Sequence, residues 1–498
     1  MKVFATFIAA ALPVVVVAFE HSTTTAQIRL AYHGQHGMTV SWNTFQHIQH
    51  PKVRWGLSED NLNNTASSNL SITYPTSTTY SNHVLISGLA PDTTYYYMPS
   101  PLSIKCKDAK KQRPYSFRTS RRAGDKAPLS VAVAVDLGTM GSLGLGTTAG
   151  SGVSPNNVLK PGEKNTIDSL ASSLSKYEFL WHPGDMAYAD YWLKEEIQGY
   201  LPNTTIEEGY KVYESILNEF YDEMMAVTAT KPYMVGPGNH EANCDNGGTA
   251  DKAHNITYTS AICSPGQTNF TGYKNHFAMP SDVSGGTGNF WYSFDNGLVH
   301  FIQLDTETDL GHGFIGPDEA GGSGGIGADP VNATMDAQTT WLQADLAAVD
   351  RSKTPWIVVA GHRPLYLSHA NDSTFCSPCH EIFEPLFAQY DVDLYLSGHA
   401  HVYERLAPLG QHGVVDPAEL NNPRSTWYIT NGAAGHYDGL DALQSPRQPY
   451  SRFGLDTNDA VYGWSLLTFH NSTHLTHEFI ASNNNTVLDS ATLYKAHK

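Results

Sequence analysis

The chain has 498 residues, more than one small domain needs, so two domains are expected. Its formal charge of −18 argues against nucleic acid and against an anionic membrane surface as partners. The same charge opposes an anionic substrate unless bound cations reverse the field locally or an acidic medium neutralises carboxylates.

Residues 1–18 combine Lys2, an apolar run over 3–17 and small residues near Ala18, the pattern of a secretory signal peptide too short to span a bilayer. No later apolar stretch reaches spanning length, so the expected product is soluble and exported, extracellular or held in a cell wall. N-x-S/T sequons at Asn63, Asn69, Asn203, Asn255, Asn269, Asn332, Asn371, Asn471 and Asn484 fit export and mark expected surface positions and glycosylation candidates. In an oxidising compartment Cys244 and Cys263 are expected to close a short loop, and Cys376 and Cys379 a tight local bridge, leaving Cys106 over. The C-S-P-C stretch also reads as a redox motif, but its surroundings do not look like a thioredoxin.

Residues 21–120 read as an all-β sandwich. Segments 27–32, 37–42, 51–56, 83–89, 93–97 and 116–119 are short, β-branched or aromatic, and separated by polar turns. The polar stretch 121–128 is a connector and marks a domain boundary, with the second domain expected over 127–498. From residue 129 strands alternate with helices. The apolar runs 130–135, 179–182, 233–235, 299–304, 356–360 and 392–397 read as strands. Segments 165–176, 206–227, 338–349 and 381–389 read as helices on their 3.6-residue periodicity. This is an α/β sandwich with long loops, including Gly/Ser-rich insertions at 138–152 and 311–327. A β-rich tail over 428–493, within a C-terminal segment 424–498, is expected to close the second sheet.

Five short motifs each follow a predicted strand: V-D-L-G with Asp136, G-D-M-A-Y with Asp185 and Tyr188, G-N-H-E with Asn239, V-A-G-H with His362, and G-H-A-H with His399 and His401. Ligands of open α/β sheets bind beyond the carboxyl ends of strands, so these loops can converge. Singly the motifs are weak. Gly-Asp is an ordinary turn, Asn is a turn former, and a histidine at a strand end is more often a satisfied imidazole. Two histidines two apart on an extended segment point the same way and can share a metal pair. Carboxylate and phenolate suit a hard, highly charged cation, and imidazole and amide suit a divalent one. Together the seven side chains read as a two-metal cradle.

This constellation resembles the purple acid phosphatases, a branch of the metallophosphoesterases. The N-terminal part looks like the fibronectin-type III sandwich of the larger plant and fungal members, carrying W-G at Trp55 and Gly56, G-L-x-P-x-T-x-Y-Y-Y from Gly88 to Tyr97, and S-F-R-T. The stretch H-F-A-M-P from His276 and the Y-G-W at Tyr462 are also similar to the family. The resemblance implies Fe(III) on Asp136, Tyr188 and His401, and a divalent metal (zinc, iron or manganese) on Asn239, His362 and His399, with Asp185 bridging. It implies two metals about 3.5–4 Å apart whose hydroxide attacks phosphorus in line. It makes His240 a phosphate-binding group and His369 the general acid to the leaving alkoxide, a duty that needs a protonated imidazole and so an acidic optimum. Broader metallophosphoesterases place a histidine at the position of Gly138 and lack the tyrosine, so the purple branch fits better. One departure is Val135, where the family usually has Gly; valine cannot relax to positive φ as glycine can. The expected activity is an acid phosphatase acting on small phosphate monoesters, as a monomer or homodimer. Phytase or phosphodiesterase activity on the same scaffold, and a non-catalytic cell-surface binding protein, are the alternatives.

Overall fold

The computed structural model describes residues 25–100, 113–140, 164–192, 205–242, 250–251, 256–257, 264–307, 337–368, 376–435, 439–459 and 461–497. The segment 1–18 read as a signal peptide, Cys106, Cys244, Cys263, His369, most of both Gly/Ser-rich stretches and the sequons at Asn203, Asn255, Asn332 and Asn371 lie outside the described residues.

The first part is a β-sandwich of two four-stranded antiparallel sheets. One runs Ala26–Tyr32, Gly37–Thr44, Tyr80–Ser87, Leu70–Ile72, and the other Asn64–Ser67, Lys52–Gly56, Thr94–Ser100, Tyr115–Arg118. Alternating side chains from both sheets, among them Ile28, Trp42, Val84, Tyr97 and Phe117, fill its core. Buried polar contacts tie the sandwich to the rest of the chain. Thr228 Oγ1 donates to the Ile28 carbonyl at 2.7 Å, Tyr97 OH donates to the Ala229 carbonyl at 2.7 Å, and Arg29 Nε donates to the His276 carbonyl at 2.7 Å.

The second part is a two-sheet α/β sandwich. A six-stranded sheet has the order Tyr233–Gly236, Phe179–Pro183, Leu129–Val133, Gly463–Phe469, His474–Ala481, Val487–Tyr494. Its first three strands are mutually parallel. The larger sheet runs Tyr292–Asn296, Val299–Gln303, Trp356–Ala360, Leu394–Ser397, Thr426–Asn431, Tyr403–Gly410, Val414–Val415, with Ser451–Leu455 also paired to Tyr403–Gly410. Phe179 and Trp181 from one sheet meet Phe301 from the other edge-on at 5.2 and 5.6 Å, so aromatic rings fill the space between the layers. Helices Thr166–Ser172 and Gly209–Thr228 add Leu170, Ile216 and Phe220 to this core, while Ala337–Ala348 and Glu384–Gln389 bury Leu342, Leu346 and Phe387 in a second cluster.

Three expectations change. The C-terminal tail does not close one sheet. Thr426–Asn431 and Ser451–Leu455 join the larger sheet, whereas the last three strands extend the six-stranded sheet from Leu129–Val133. The strand Tyr292–Asn296 is not among the predicted ones, although Asn296-Gly297, with Gly297 at φ 62°, is a hairpin turn signal directly after it. The edge strands Asn64–Ser67 and Leu70–Ile72 are likewise additional, because polar, Asn/Ser-rich edges lack the apolar alternation that marks a strand. Cys376 and Cys379 are joined by a disulfide.

Candidate metal centre

Five strand ends deliver the seven predicted side chains to one point. Leu129–Val133 leads to Asp136, Phe179–Pro183 to Asp185 and Tyr188, and Tyr233–Gly236 to Asn239, all from the six-stranded sheet. Trp356–Ala360 leads to His362, and Leu394–Ser397 to His399 and His401, both from the larger sheet. The centre therefore straddles the carboxyl ends of parallel strands in both layers.

The side chains form two groups joined by one carboxylate. Tyr188 OH lies 2.9 Å from Asp136 Oδ1 and 2.9 Å from His401 Nε2. Asn239 Oδ1 lies 3.1 Å from His362 Nε2 and 2.9 Å from His399 Nδ1. Asp185 Oδ2 stands between the groups, 3.3 Å from Tyr188 OH and 3.0 Å from His362 Nε2. Asp136 Oδ1 is 3.8 Å from His401 Nε2 and 3.9 Å from His362 Nε2. Asp136, Asp185, Tyr188, Asn239 and His362 are buried, and the two histidines of G-H-A-H are part-exposed.

Burial dominates the electrostatics. It pushes the Asp136 carboxyl well above the ordinary range, with Asp185 adding to the effect. At Asp185 burial acts the same way but is outweighed by the imidazoles of His362 and His240, which hold it well below that range. His362 is lowered by burial and raised more strongly by Asp185, reaching about 9. Burial and Asp136 push the Tyr188 phenol well above its usual value. The donor set fits two cations. Hard oxygens and one imidazole converge on one side, an amide oxygen and two imidazoles on the other. The ligand atoms of Asp185, His362 and His399 lie within 4.8 Å of one another.

Contrary to expectation, the two histidines of G-H-A-H do not sit on an extended segment. His399 has φ 66°, so the chain turns sharply and sends His399 to Asn239 and His401 to Tyr188. Val135 needs no positive φ either. The left-handed residue is Asp136 itself, at φ 59°, and the Val135 side chain is buried against Gly398.

His240 Nδ1 lies 2.6 Å from Asp190 Oδ2, which leaves Nε2 facing the centre, 3.9 Å from Asp185 Oδ2. His369 lies outside the described residues, but Ser368 before it is held at three atoms. Its N–H donates to Glu404 Oε2 at 2.7 Å, its carbonyl accepts from Gln444 N–H at 2.9 Å, and its Oγ accepts from Gln448 N–H at 2.9 Å.

Four supporting residues escaped the sequence reading. Glu241 accepts the backbone N–H groups of Asp185, Met186 and Gly238 at 2.9, 2.8 and 2.7 Å, and its place in G-N-H-E was a usable signal. Asp190, two residues past Tyr188, was equally near a motif. Glu307 and Arg363 form a buried bidentate pair, and Arg363 Nη1 lies 3.1 Å from His399 Nε2. Nothing local to Glu307 signals that partnership.

Comparison with known proteins agrees with this geometry. Residues 25–119 match the purple acid phosphatase N-terminal domain, 158–403 the calcineurin-like phosphoesterases, and 425–490 the iron/zinc purple acid phosphatase-like protein C. The chain is 38% identical to acid phosphatase A of Cryphonectria parasitica over 95% of its own length and 92% of that protein. It is 34% identical to an acid phosphatase of Aspergillus ficuum, covering 92% of this chain and 85% of the relative. The fold is similar to purple acid phosphatase PPD1 from yellow lupin seeds, with a TM-score of 0.67 at 22% identity over 95% of this chain and 75% of that one. The chain belongs to the purple acid phosphatase family, whose members are phosphoesterases built on a two-metal centre.

Proposed function

We propose that this purple acid phosphatase family member is an exported enzyme hydrolysing phosphate monoesters at acidic pH, with Asp136, Tyr188 and His401 holding Fe(III), Asn239, His362 and His399 holding a divalent metal, and Asp185 bridging. The division into a leader at 1–18, a sandwich at 21–120 and a catalytic domain at 127–498 belongs to the same proposal. The observation that carries it is the convergence of those seven side chains, from five strand ends, into two groups sharing the Asp185 carboxylate.

Loaded, the metal pair would supply Lewis acidity at a phosphoryl oxygen and an activated water. The chain's own residues do the rest. Asp190 fixes the His240 ring through Nδ1, and Nε2, 3.9 Å from Asp185 Oδ2, is the nitrogen that would donate to a phosphate oxygen. Glu241 holds the backbone on either side of Asp185 and so fixes the bridge between the two groups. His369, next after Ser368 in sequence, protonates the departing alkoxide. The Tyr188 phenol oxygen 2.9 Å from Asp136 Oδ1 makes a hard oxygen pair, which supports a trivalent ion on that side.

Metal analysis with a visible spectrum tests the reading, before and after Tyr188→Phe, alongside turnover of a mono-aryl and a bis-aryl phosphate. One iron and one divalent ion are expected, with a visible band that the Tyr188→Phe variant loses, and faster cleavage of the monoester. A colourless, iron-free preparation that still hydrolyses esters would overturn the Fe(III) assignment. Faster cleavage of the bis-aryl substrate would overturn the monoester assignment.

A further inference from the structure

Among the described residues, one side of the sandwich is an open edge of both its sheets. Asn64–Ser67 is outermost in one sheet and pairs only with Lys52–Gly56. Among the described residues Leu70–Ile72 is outermost in the other and pairs with Tyr80–Ser87. The loop before Lys52–Gly56 touches this stretch through Ile48 N–H to Ser71 Oγ at 3.2 Å and His50 Nδ1 against Asn69 Oδ1 at 2.8 Å. Two residues separate these strands, and Ser68 stitches the layers by donating its N–H to the Pro51 carbonyl and its Oγ–H to the His83 carbonyl. A single stretch of chain thus forms the whole side.

Such an edge is a template for pairing with another chain, and proteins blunt it with charges, proline or a covering element. The sandwich does so elsewhere. Ala26–Tyr32 is covered by helix Gly209–Thr228 and bridges Pro232 through Leu30, and Tyr115–Arg118 ends on an Arg118–Asp92 ion pair of 2.7 Å. Residues 61–74 contain no charged residue and no proline. Asn64, Thr65, Ser67 and Leu70 are exposed, Leu70 by 53%. What this stretch does have is two sequons, Asn63-Asn64-Thr65 and Asn69-Leu70-Ser71, and both acceptor asparagines are exposed. Six residues of extended chain put the attachment points about 20 Å apart, one at the start of the first strand and one at the start of the second.

We propose that Asn63 and Asn69 carry N-linked glycans and that these glycans keep the open edge from pairing with the same edge of a second copy. In the transfer, Nδ2 of each asparagine bonds to the anomeric carbon of a lipid-diphosphate-linked oligosaccharide, the lipid diphosphate leaves, and the amide loses one proton. The inference rests on the proposed export and is independent of the phosphatase reading.

The full chain, made in a glycosylating eukaryotic host, tests it. Glycopeptide masses report occupancy at each site, and sedimentation velocity across a concentration series reports self-association. Both sites are expected to be occupied. Asn63→Gln/Asn69→Gln is expected to associate at least tenfold more tightly than the parent, with activity per dispersed chain unchanged. Adding Thr65→Lys and Leu70→Lys to that variant should restore dispersion, because charge replaces the missing cover. The pair Asn471→Gln/Asn484→Gln, whose asparagines are exposed at other places in the fold, should leave association unchanged. An unmodified site, a double variant as dispersed as the parent, equal association in the control pair, or no rescue by lysine would each overturn the proposal. An inactive protein with this full pattern would sink the phosphatase reading and leave the glycan inference standing.

Discussion

Removing Arg363 separates two things that the buried pair does. Its Nε lies 3.0 and 3.1 Å from the two carboxylate oxygens of Glu307 and its Nη2 lies 3.0 Å from one of them, while both residues are at most 2% exposed. Its Nη1 reaches the far nitrogen of His399 at 3.1 Å, and so limits how that ring can turn about its near nitrogen, which faces Asn239. Arg363→Met leaves the Glu307 carboxylate buried without its cation, at a cost of about 3–5 kcal/mol in stability. In Arg363→Met/Glu307→Met that charge is gone too, and apolar replacement of a whole buried pair is about neutral or mildly stabilising. Neither variant restrains His399. A neutral imidazole has one N–H; with Nδ1 on a cation, Nε2 carries it and cannot accept from the guanidinium. Arg363 therefore favours the metal-free tautomer, and its loss should not lower metal affinity. Denaturant midpoints of the metal-free protein should therefore fall in the single variant and recover in the double. Divalent-metal affinity, measured by titration against a competing chelator, should hold or rise in both. A fall of affinity in both variants would refute the tautomer argument and show that Arg363 orients His399 for the metal. A single variant as stable as the parent would refute the buried-charge reasoning itself.

Asp190→Asn removes a charge-assisted bond worth about 1.5–3 kcal/mol to His240, so kcat on an aryl phosphate should fall about 10–100-fold with metal content unchanged; a loss of metal would mean that Asp190 serves the cradle instead. His369→Ala should slow alkyl phosphates far more than esters with good leaving groups, and equal losses on the two would refute its role as general acid. Gly398→Ala places a Cβ 2.2 Å from Asp136 Oδ2 and 2.3 Å from Val135 Cγ1, so metal content should drop while far-UV circular dichroism stays intact. His300, held between Asp295 at 2.7 Å and Asp345 at 2.9 Å, is lowered by burial but raised more by these carboxylates, to about 9. Its folded-state pKa exceeds the ordinary 6.5, so its contribution, on the order of 3 kcal/mol, is complete below about pH 6.5 and lost as pH rises through 9. Unfolding of His300→Gln against the parent should show the gap narrowing over that window, and a constant gap would count against the assignment.

The sequence carried most of the site because its chemistry is local. Each motif gathers a glycine and one or two ligands within five residues just past an apolar strand, and such short strings survive without knowledge of the fold. Supporting contacts made across long separations left no such trace. Arg363 and Glu307 are 56 residues apart, and neither lies in a string that names the other. The same divide separates the strands. Trp356–Ala360 is buried along its whole length and stands out as an apolar run, while Asn64–Ser67 buries nothing fully and reads as a loop. The route of the tail was not legible either. Whether a C-terminal strand joins one sheet or the other depends on which edge is open, and that is a property of the assembled layers.

The glycines of the motifs work differently from the expectation that made Val135 a problem. Left-handed backbone is needed, but it falls on the ligands: Asp136, Asp185, Tyr188 and His399 have φ of 59°, 54°, 53° and 66°. A residue with a Cβ in that region costs of order 1–3 kcal/mol when the surroundings must enforce it, and such outliers cluster where geometry serves function. Here the turn folds each side chain back over the strand end it has just left, so separate loops can aim inward. Of the neighbouring glycines, Gly138 and Gly184 have positive φ, while Gly238 and Gly398 are required for space. A Cβ on Gly238 would meet Asp185 Oδ1 at 2.2 Å, and one on Gly398 would meet Asp136 Oδ2 at the same distance. Val135 has no such carboxylate against it. Its side chain is directed onto Gly398, and the missing Cβ there is what makes room for valine. The departure at 135 and the glycine at 398 are therefore one steric arrangement, and a larger residue at 398 would conflict with Val135 and the Asp136 carboxylate together.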